Sequence, residues 1–282
     1  GYRVKGVQDN QAEIIVAKNN FHGRTITIVS FSTDPDACVH FGPATPGFKV
    51  IPYDNPKALE QAITPNTVAF LVEPVQGEAG ILIPSPGYLQ KVRDICIKNN
   101  VLLILDEIQT GFGRTGKMFA FQHEEIKPDI LLVGKALGGG VLPISAAISR
   151  KEIMDVITPG SHGSTFGGNP LACAVADAAL DVLVEEKLAD RSAELGEHFL
   201  KGLLAVQTKT DRIKEIRAKG LFLAVEFKPE VGGARQFTQK LKENGILAKE
   251  THTHTIRFAP PLVITKEDID WALKIIEKVL TS

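Results

Sequence analysis

Two short apolar runs each stop at one ionisable side chain. Val101-Leu102-Leu103-Ile104-Leu105 ends at Asp106, and Asp129-Ile130-Leu131-Leu132-Val133-Gly134 ends at Lys135, ahead of Gly138-Gly139-Gly140. Runs this short, rich in branched residues and bounded by turn formers, predict parallel strands buried on both faces. Open α/β sheets bind their ligands at the carboxyl ends of such strands. An acid and an amine at two strand ends therefore predict a cofactor site.

The surrounding pattern agrees with a sheet of this kind. Strand-like Glu13–Val16, Phe48–Ile51, Val68–Val72, Val101–Leu105, Ile130–Val133 and Ile144–Ser149 alternate with helix-like Pro56–Ile63 and Gly87–Asn100. Such alternation predicts an α/β fold, a mostly parallel sheet covered by helices. Asn169 can cap a helix that starts at Pro170 and continues over Leu171–Glu186. Beyond it the order changes to helix Asp190–Val206, a hairpin Ile213–Phe227 turning at Lys219-Gly220, helix Arg235–Asn244, strand Thr255–Phe258 and helix Lys266–Val279. The division expected is a large cofactor-binding domain over 1–186, including the linking helix, and a smaller C-terminal α+β domain over 187–282.

Charge and thiol content restrict the partners. The 32 basic and 33 acidic residues nearly cancel, which leaves no broad basic field for nucleic acid or an anionic membrane. Small molecules are the expected partners. Cys38, Cys96 and Cys173 are few, odd in number and without CxxC spacing, in keeping with a reducing compartment and against a disulfide frame or zinc site. The least polar stretch, Ile130–Ile148, carries Lys135, and a lysine at mid-membrane costs about 2.5–3.5 kcal/mol on insertion scales. No transmembrane helix is expected. Gly1-Tyr2-Arg3-Val4 has no initiator Met and no signal-like apolar core, so the chain is expected to begin within a longer protein.

Each candidate residue has an ordinary reading beside the chemical one. Lys135 alone fits a surface lysine with a snorkelling stem; the alternative is a partly desolvated amine able to attack a carbonyl. Asp106 alone fits a buried turn cap. Together they suit pyridoxal phosphate, which needs a lysine for its aldehyde carbon and a carboxylate for its ring nitrogen. A competing motif is Gly111-Phe112-Gly113-Arg114-Thr115-Gly116-Lys117, which has the glycine and lysine spacing of a P-loop. Met118 stands where a P-loop needs a hydroxyl for magnesium, and Glu107–Thr110 separate the loop from the strand end. The loop His162-Gly163-Ser164-Thr165 with Gly167-Gly168 can present donors to a phosphate or merely turn the chain. His252 and His254 lack a third metal ligand and read as an exposed strand edge; no metal is expected.

Four ordered strings resemble the class III pyridoxal phosphate-dependent aminotransferases, of fold type I. They are Val72-Glu73-Pro74-Val75-Gln76-Gly77-Glu78, Leu105-Asp106-Glu107-Ile108-Gln109-Thr110-Gly111, Gly134-Lys135-Ala136-Leu137-Gly138-Gly139-Gly140 and His162 through Pro170. The resemblance runs through essentially the whole chain. It implies pyridoxal 5'-phosphate as cofactor, with Lys135 linked to its aldehyde carbon and carrying protons, and Asp106 on the ring nitrogen. It further implies Gln109 on the phenolic oxygen, Phe21 stacked on one ring face and Ile108 on the other. Ser164 and Thr165 would reach the phosphate held by a neighbouring subunit, which implies a homodimer with shared active sites.

Phe21-His22-Gly23-Arg24-Thr25, the Gly-Glu-Ala-Gly of 77–80 and Ile256-Arg257-Phe258-Ala259-Pro260-Pro261-Leu262 resemble members that act on the δ-amine of ornithine, with a 2-oxo acid as acceptor. Members acting on acetylornithine or 4-aminobutyrate, or a non-catalytic homologue, are the alternatives. By this resemblance Arg24, Glu73, Glu78 and Arg257 bind substrate. Arg24 takes the carboxylate of ornithine, Arg257 the α-carboxylate of glutamate or 2-oxoglutarate, and Glu78 masks Arg257 in the ornithine half-reaction. A cytoplasmic setting, or a mitochondrial matrix in a eukaryote, goes with arginine and proline metabolism. The family's earlier strand-loop-helix unit, a source of phosphate donors and pocket aromatics, has no counterpart between Gly1 and Ser282, and weak cofactor binding is expected of this piece alone.

Overall fold

The structure is a computed structural model and describes residues 1–282. The chain divides into two compact units. One comprises Gly1–Pro74, Pro84–Gln109 and Phe121–Asp181; the other comprises Val75–Ile83, Thr110–Ala120 and Val182–Ser282. The sequence pattern suggests one contiguous cut at 186/187, whereas two internal segments join the C-terminal unit.

The first unit is built on six strands: β1 (Glu13–Ala17), β2 (Phe48–Ile51), β3 (Thr67–Val72), β4 (Leu102–Asp106), β5 (Ile130–Val133) and β6 (Ala146–Ser149). Their order is β2-β1-β3-β4-β5-β6. All pairs are parallel except β5 with β6, so the sheet is mixed but mostly parallel. The helices are α1 (Ile26–Val29), α2 (Pro35–Cys38), α3 (Pro56–Ala62), α4 (Tyr88–Lys98), α5 (Lys151–Met154) and α6 (Pro170–Glu185). The unit boundary falls within α6, whose first turn is capped as its sequence suggests: Ala172 N donates to Asn169 Oδ1 at 2.9 Å.

Period-two alternation explains why the central strands are apolar on both faces. Ile15, Phe70, Val72, Leu103 and Leu105 pack with Leu59 of α3 and with Tyr88, Leu89, Val92 and Cys96 of α4. Val16 and Leu71 pack on Phe31 in a separate cluster. Burial at positions 88, 89, 92 and 96 is the stripe of an amphipathic helix. A buried carboxylate then ties these elements together. Asp129 accepts Arg93 Nη1 and Nη2 at 2.5 and 3.3 Å, Arg150 Nη2 at 3.0 Å and the Leu103 amide at 2.9 Å.

The second unit contains α7 (Leu188–Gln207), β7 (Ile213–Ala218), β8 (Leu223–Phe227), α8 (Arg235–Glu243), β9 (Lys249–Thr251), β10 (Thr255–Phe258) and α9 (Lys266–Thr281). Its strands form an antiparallel sheet ordered β7-β8-β10-β9. Phe199, Leu203, Val225, Phe227, Ile256 and Ile276 are among its core. A capping box of Thr265 and Asp268 starts α9. His252 and His254 occupy the β9–β10 turn rather than a strand edge, because the unanticipated β9 requires a reversal there.

The P-loop-like glycines serve packing. A Cβ on Gly113 would stand 3.3 Å from the Ala189 backbone, and one on Gly116 would stand 3.0 Å from Ala193 Cβ, so both let this loop lie close on α7. Both also have positive φ, +90° and +87°, the region glycine enters without penalty.

Burial also fixes how this core responds to alkali. It pushes the Cys96 thiol up to about 12 and raises the Tyr53 and Tyr88 phenols well above their ordinary value. These groups stay neutral when folded at pH values where the unfolded chain releases its protons. Their contribution is complete below about pH 9 and falls as pH rises toward 12, by about 1.4 kcal/mol per pH unit for each group. Urea unfolding midpoints are expected to drop steeply between pH 9 and 11. Native Cys96 should resist iodoacetamide at pH 9 and react once urea unfolds the chain; labelling of the native thiol at the unfolded rate would contradict this burial.

Candidate active site

The carboxyl ends of β4 and β5 lie side by side, with Asp106 paired to Leu132 in the parallel register. Lys135 follows three residues later, at the start of a 3₁₀ turn Lys135–Gly138. Asp106 and Lys135 line one recess, together with Phe21, Glu73, Ile108 and Gln109. Thus six of the expected site residues meet in the first unit.

Strand alternation sorts the adjacent acids. Asp106, 5% exposed, turns to the recess, where its Oδ1 accepts the Ile108 amide at 3.0 Å. Glu107 is buried elsewhere and accepts the Phe121 amide at 2.8 Å, a structural role. The second oxygen of Asp106 lies 2.7 Å from His22 Nδ1. An ionised carboxylate only accepts, so Nδ1 carries the proton and donates. The buried Nε2 of the same ring has no hydrogen-bond partner. His22 thereby orients Asp106, a role not foreseen from the string Phe21-His22-Gly23-Arg24.

Glu73 acts on the other wall. Its buried carboxylate accepts the Phe21 amide at 2.9 Å, fixing the backbone that carries the aromatic ring. Arg24 is exposed, with its guanidinium 5.6 Å from the Phe21 ring centroid, a cation–π arrangement.

Lys135 departs from expectation in one respect. Its side chain is exposed, where the chemical reading of the sequence has a partly desolvated amine. Its backbone sits at φ +45°, a left-handed conformation that costs a non-glycine residue about 1–2 kcal/mol. The same lysine also borders an open cleft of about 940 Å³, lined by Gly140–Ala146, Ser164 and Phe166–Asn169. In the loop above it, Ser164 Oγ accepts the Gly167 amide at 3.0 Å, and both Ser164 and Thr165 are exposed.

A second cluster lies wholly in the other unit. Arg257 of β10 donates from Nη1 to Glu78 Oε1 at 2.6 Å, as the resemblance suggests. Nearby, Arg114 donates to the carbonyls of Leu221 and Pro260 at 2.8 and 2.6 Å. Burial, and secondly the charge of Arg257, lower the Arg114 guanidinium to about 10. This arginine comes from the loop whose glycines mimic a P-loop.

The recess therefore offers a fixed buried anion, an aromatic and an aliphatic wall, an amide side chain and an amine at its mouth. The chain belongs to the class III aminotransferases, whose family pattern spans residues 1–280. It is 58% identical over 281 residues to an ornithine aminotransferase from Oceanobacillus iheyensis, an alignment covering all of this chain and 69% of that protein. The ornithine aminotransferase of Toxoplasma gondii, solved with pyridoxal phosphate partly occupying its active site, shares 52% identity at a TM-score of 0.97 over 99% of this chain and 67% of its own. The acetylornithine aminotransferase of Elizabethkingia anophelis shares 52% identity at a TM-score of 0.87, over 99% and 69%.

Pyridoxal phosphate is the family's cofactor, and the donor set fits it: the buried Asp106 anion, immobilised on both oxygens, suits a protonated ring nitrogen. Asp106→Asn removes the charge while keeping the shape. Losing one charge-assisted hydrogen bond predicts pyridoxal phosphate binding weaker by about 10- to 100-fold, read by absorbance titration, with an unchanged circular dichroism spectrum. Undiminished affinity would show that the ring nitrogen is held elsewhere.

Proposed function

We propose that the protein transfers the δ-amino group of ornithine to 2-oxoglutarate, giving glutamate semialdehyde and glutamate in two half-reactions. The donor carbon is oxidised from amine to aldehyde, and the oxo acid is converted to the amino acid. The observation that carries this reading is the Glu78–Arg257 pair, 2.6 Å apart and both largely buried. A masked arginine favours a donor that presents its distal amine and leaves its carboxylate to Arg24. An unmasked one favours glutamate or 2-oxoglutarate, bound through the α-carboxylate. A bidentate arginine–carboxylate contact is selective for such groups.

When bound, pyridoxal phosphate supplies an electron-withdrawing ring that spreads the charge left as a C–H bond beside the amine breaks. Asp106 keeps the ring nitrogen protonated, and His22 holds Asp106 in position. Phe21 and Ile108 would confine the ring, Gln109 would hold its phenolic oxygen, and Glu73 fixes the Phe21 backbone. Lys135 Nζ would hold the aldehyde carbon in the resting enzyme and, once displaced by the substrate amine, would be free to take and return the proton at the substrate carbon.

We further propose a homodimer in which Ser164 and Thr165 serve the partner's phosphate. Phe166 and Val141 are 81% and 77% exposed along that cleft, and large apolar side chains grouped on a surface mark an interaction face. Three free cysteines and bacterial relatives support a cytoplasmic setting. No helix is long and apolar enough to cross a membrane.

Single-turnover half-reactions of the holoenzyme test the donor. Ornithine should react fastest; faster reaction with acetylornithine or 4-aminobutyrate would reassign it. Borohydride reduction followed by peptide mapping should find the pyridoxyl group on Lys135. Glu78→Ala should shift the ratio of glutamate to ornithine half-reaction rates by about tenfold or more, as expected for removing one charged partner. An unchanged ratio would remove Glu78 from substrate choice.

A further inference from the structure

Glu78 has a second cation. In the antiparallel register of β9 and β10, Lys249 stands directly opposite Arg257. Opposite residues share a face, and two like charges there repel. Glu78 relieves this repulsion by dividing its oxygens: Oε1 accepts from Arg257 Nη1 at 2.6 Å and Oε2 from Lys249 Nζ at 3.0 Å. The environments of the two cations differ. Arg257 is 15% exposed and Lys249 is 61% exposed, so one is fixed in the protein and the other is free to follow a moving partner.

The backbone that bears Glu78 is itself held. Gln76 and Leu82 exchange two hydrogen bonds, at 3.1 and 3.0 Å, closing the turn between them. The Gly80 carbonyl accepts two more from Arg217, at 3.2 and 2.8 Å. Glu78 can therefore leave Arg257 by side-chain rotation alone. On leaving, the carboxylate either enters water or keeps a charged partner, and Lys249 is already in contact.

We propose that Lys249 is a specificity-determining residue, the cation that retains Glu78 while Arg257 is exposed to a substrate carboxylate. The inference rests on the reading of Glu78 and Arg257 as a carboxylate switch. It makes unmasking an exchange of partners rather than the loss of one.

Glutarate, an unreactive dicarboxylate that competes for Arg257, tests this by calorimetry on the holoenzyme. Lys249→Met should raise its dissociation constant about twofold to fivefold, the effect of one exposed ion pair, and Lys249→Arg should restore it. In a Glu78→Ala background the same Lys249→Met change should have no effect, because nothing remains to be retained. An equal loss in both backgrounds would show that Lys249 merely attracts the anion and would overturn the proposal, as would no loss in either. The ornithine half-reaction of the unsubstituted enzyme is scored separately, so failure of the donor assignment is distinguishable from failure of this one.

Discussion

A carboxylate that must stay ionised while almost fully buried is the constraint on which the active-site unit depends. Burying an unpaired charge is costly, and the chain meets that cost with the Ile108 amide on one oxygen and the His22 ring on the other. Both donors require particular neighbours. The amide belongs to the turn leaving β4, and the imidazole belongs to the loop after β1, two strands away in the sheet. Parallel pairing brings these strand ends to one edge, so the sheet topology and the anion's hydrogen bonds are one requirement. The Glu73 contact with the Phe21 amide extends the same logic from the end of β3.

The two acid clusters of the protein use charge differently. At Asp106 the partners are a backbone amide and a ring held nearby. At Glu78 the carboxylate sits between one enclosed and one exposed cation, which suits a group that changes partner. Asp129 is a third case, with Arg93, Arg150 and the Leu103 amide around it. A shielded acid surrounded this way joins helix, strands and loop.

Much of this was legible in the sequence because it lay in local pattern. The six strands of the large sheet appear as apolar runs, and the Asn169 cap and the Gly220 turn follow from single residues. The ends of two runs already named Asp106 and Lys135. What was not legible depends on distant partners. β9 is three residues long, Lys249-Glu250-Thr251, mostly polar, and is a strand only because β10 pairs with it. His22 is silent until Asp106, 84 residues later, is brought to it. Arg114 contacts carbonyls 107 and 146 residues away, which explains why its loop joins the C-terminal unit and why its glycines resemble a phosphate loop without being one.

The left-handed backbone at Lys135 has an evolutionary consequence. Glycine or asparagine would occupy that turn more comfortably, so every generation that keeps lysine there retains a small instability, which the proposed role of its amine would offset. A duplicated copy freed from catalysis would gain by replacing it. Residue choice at this one turn should thus separate working descendants of the fold from relics that preserve only its shape.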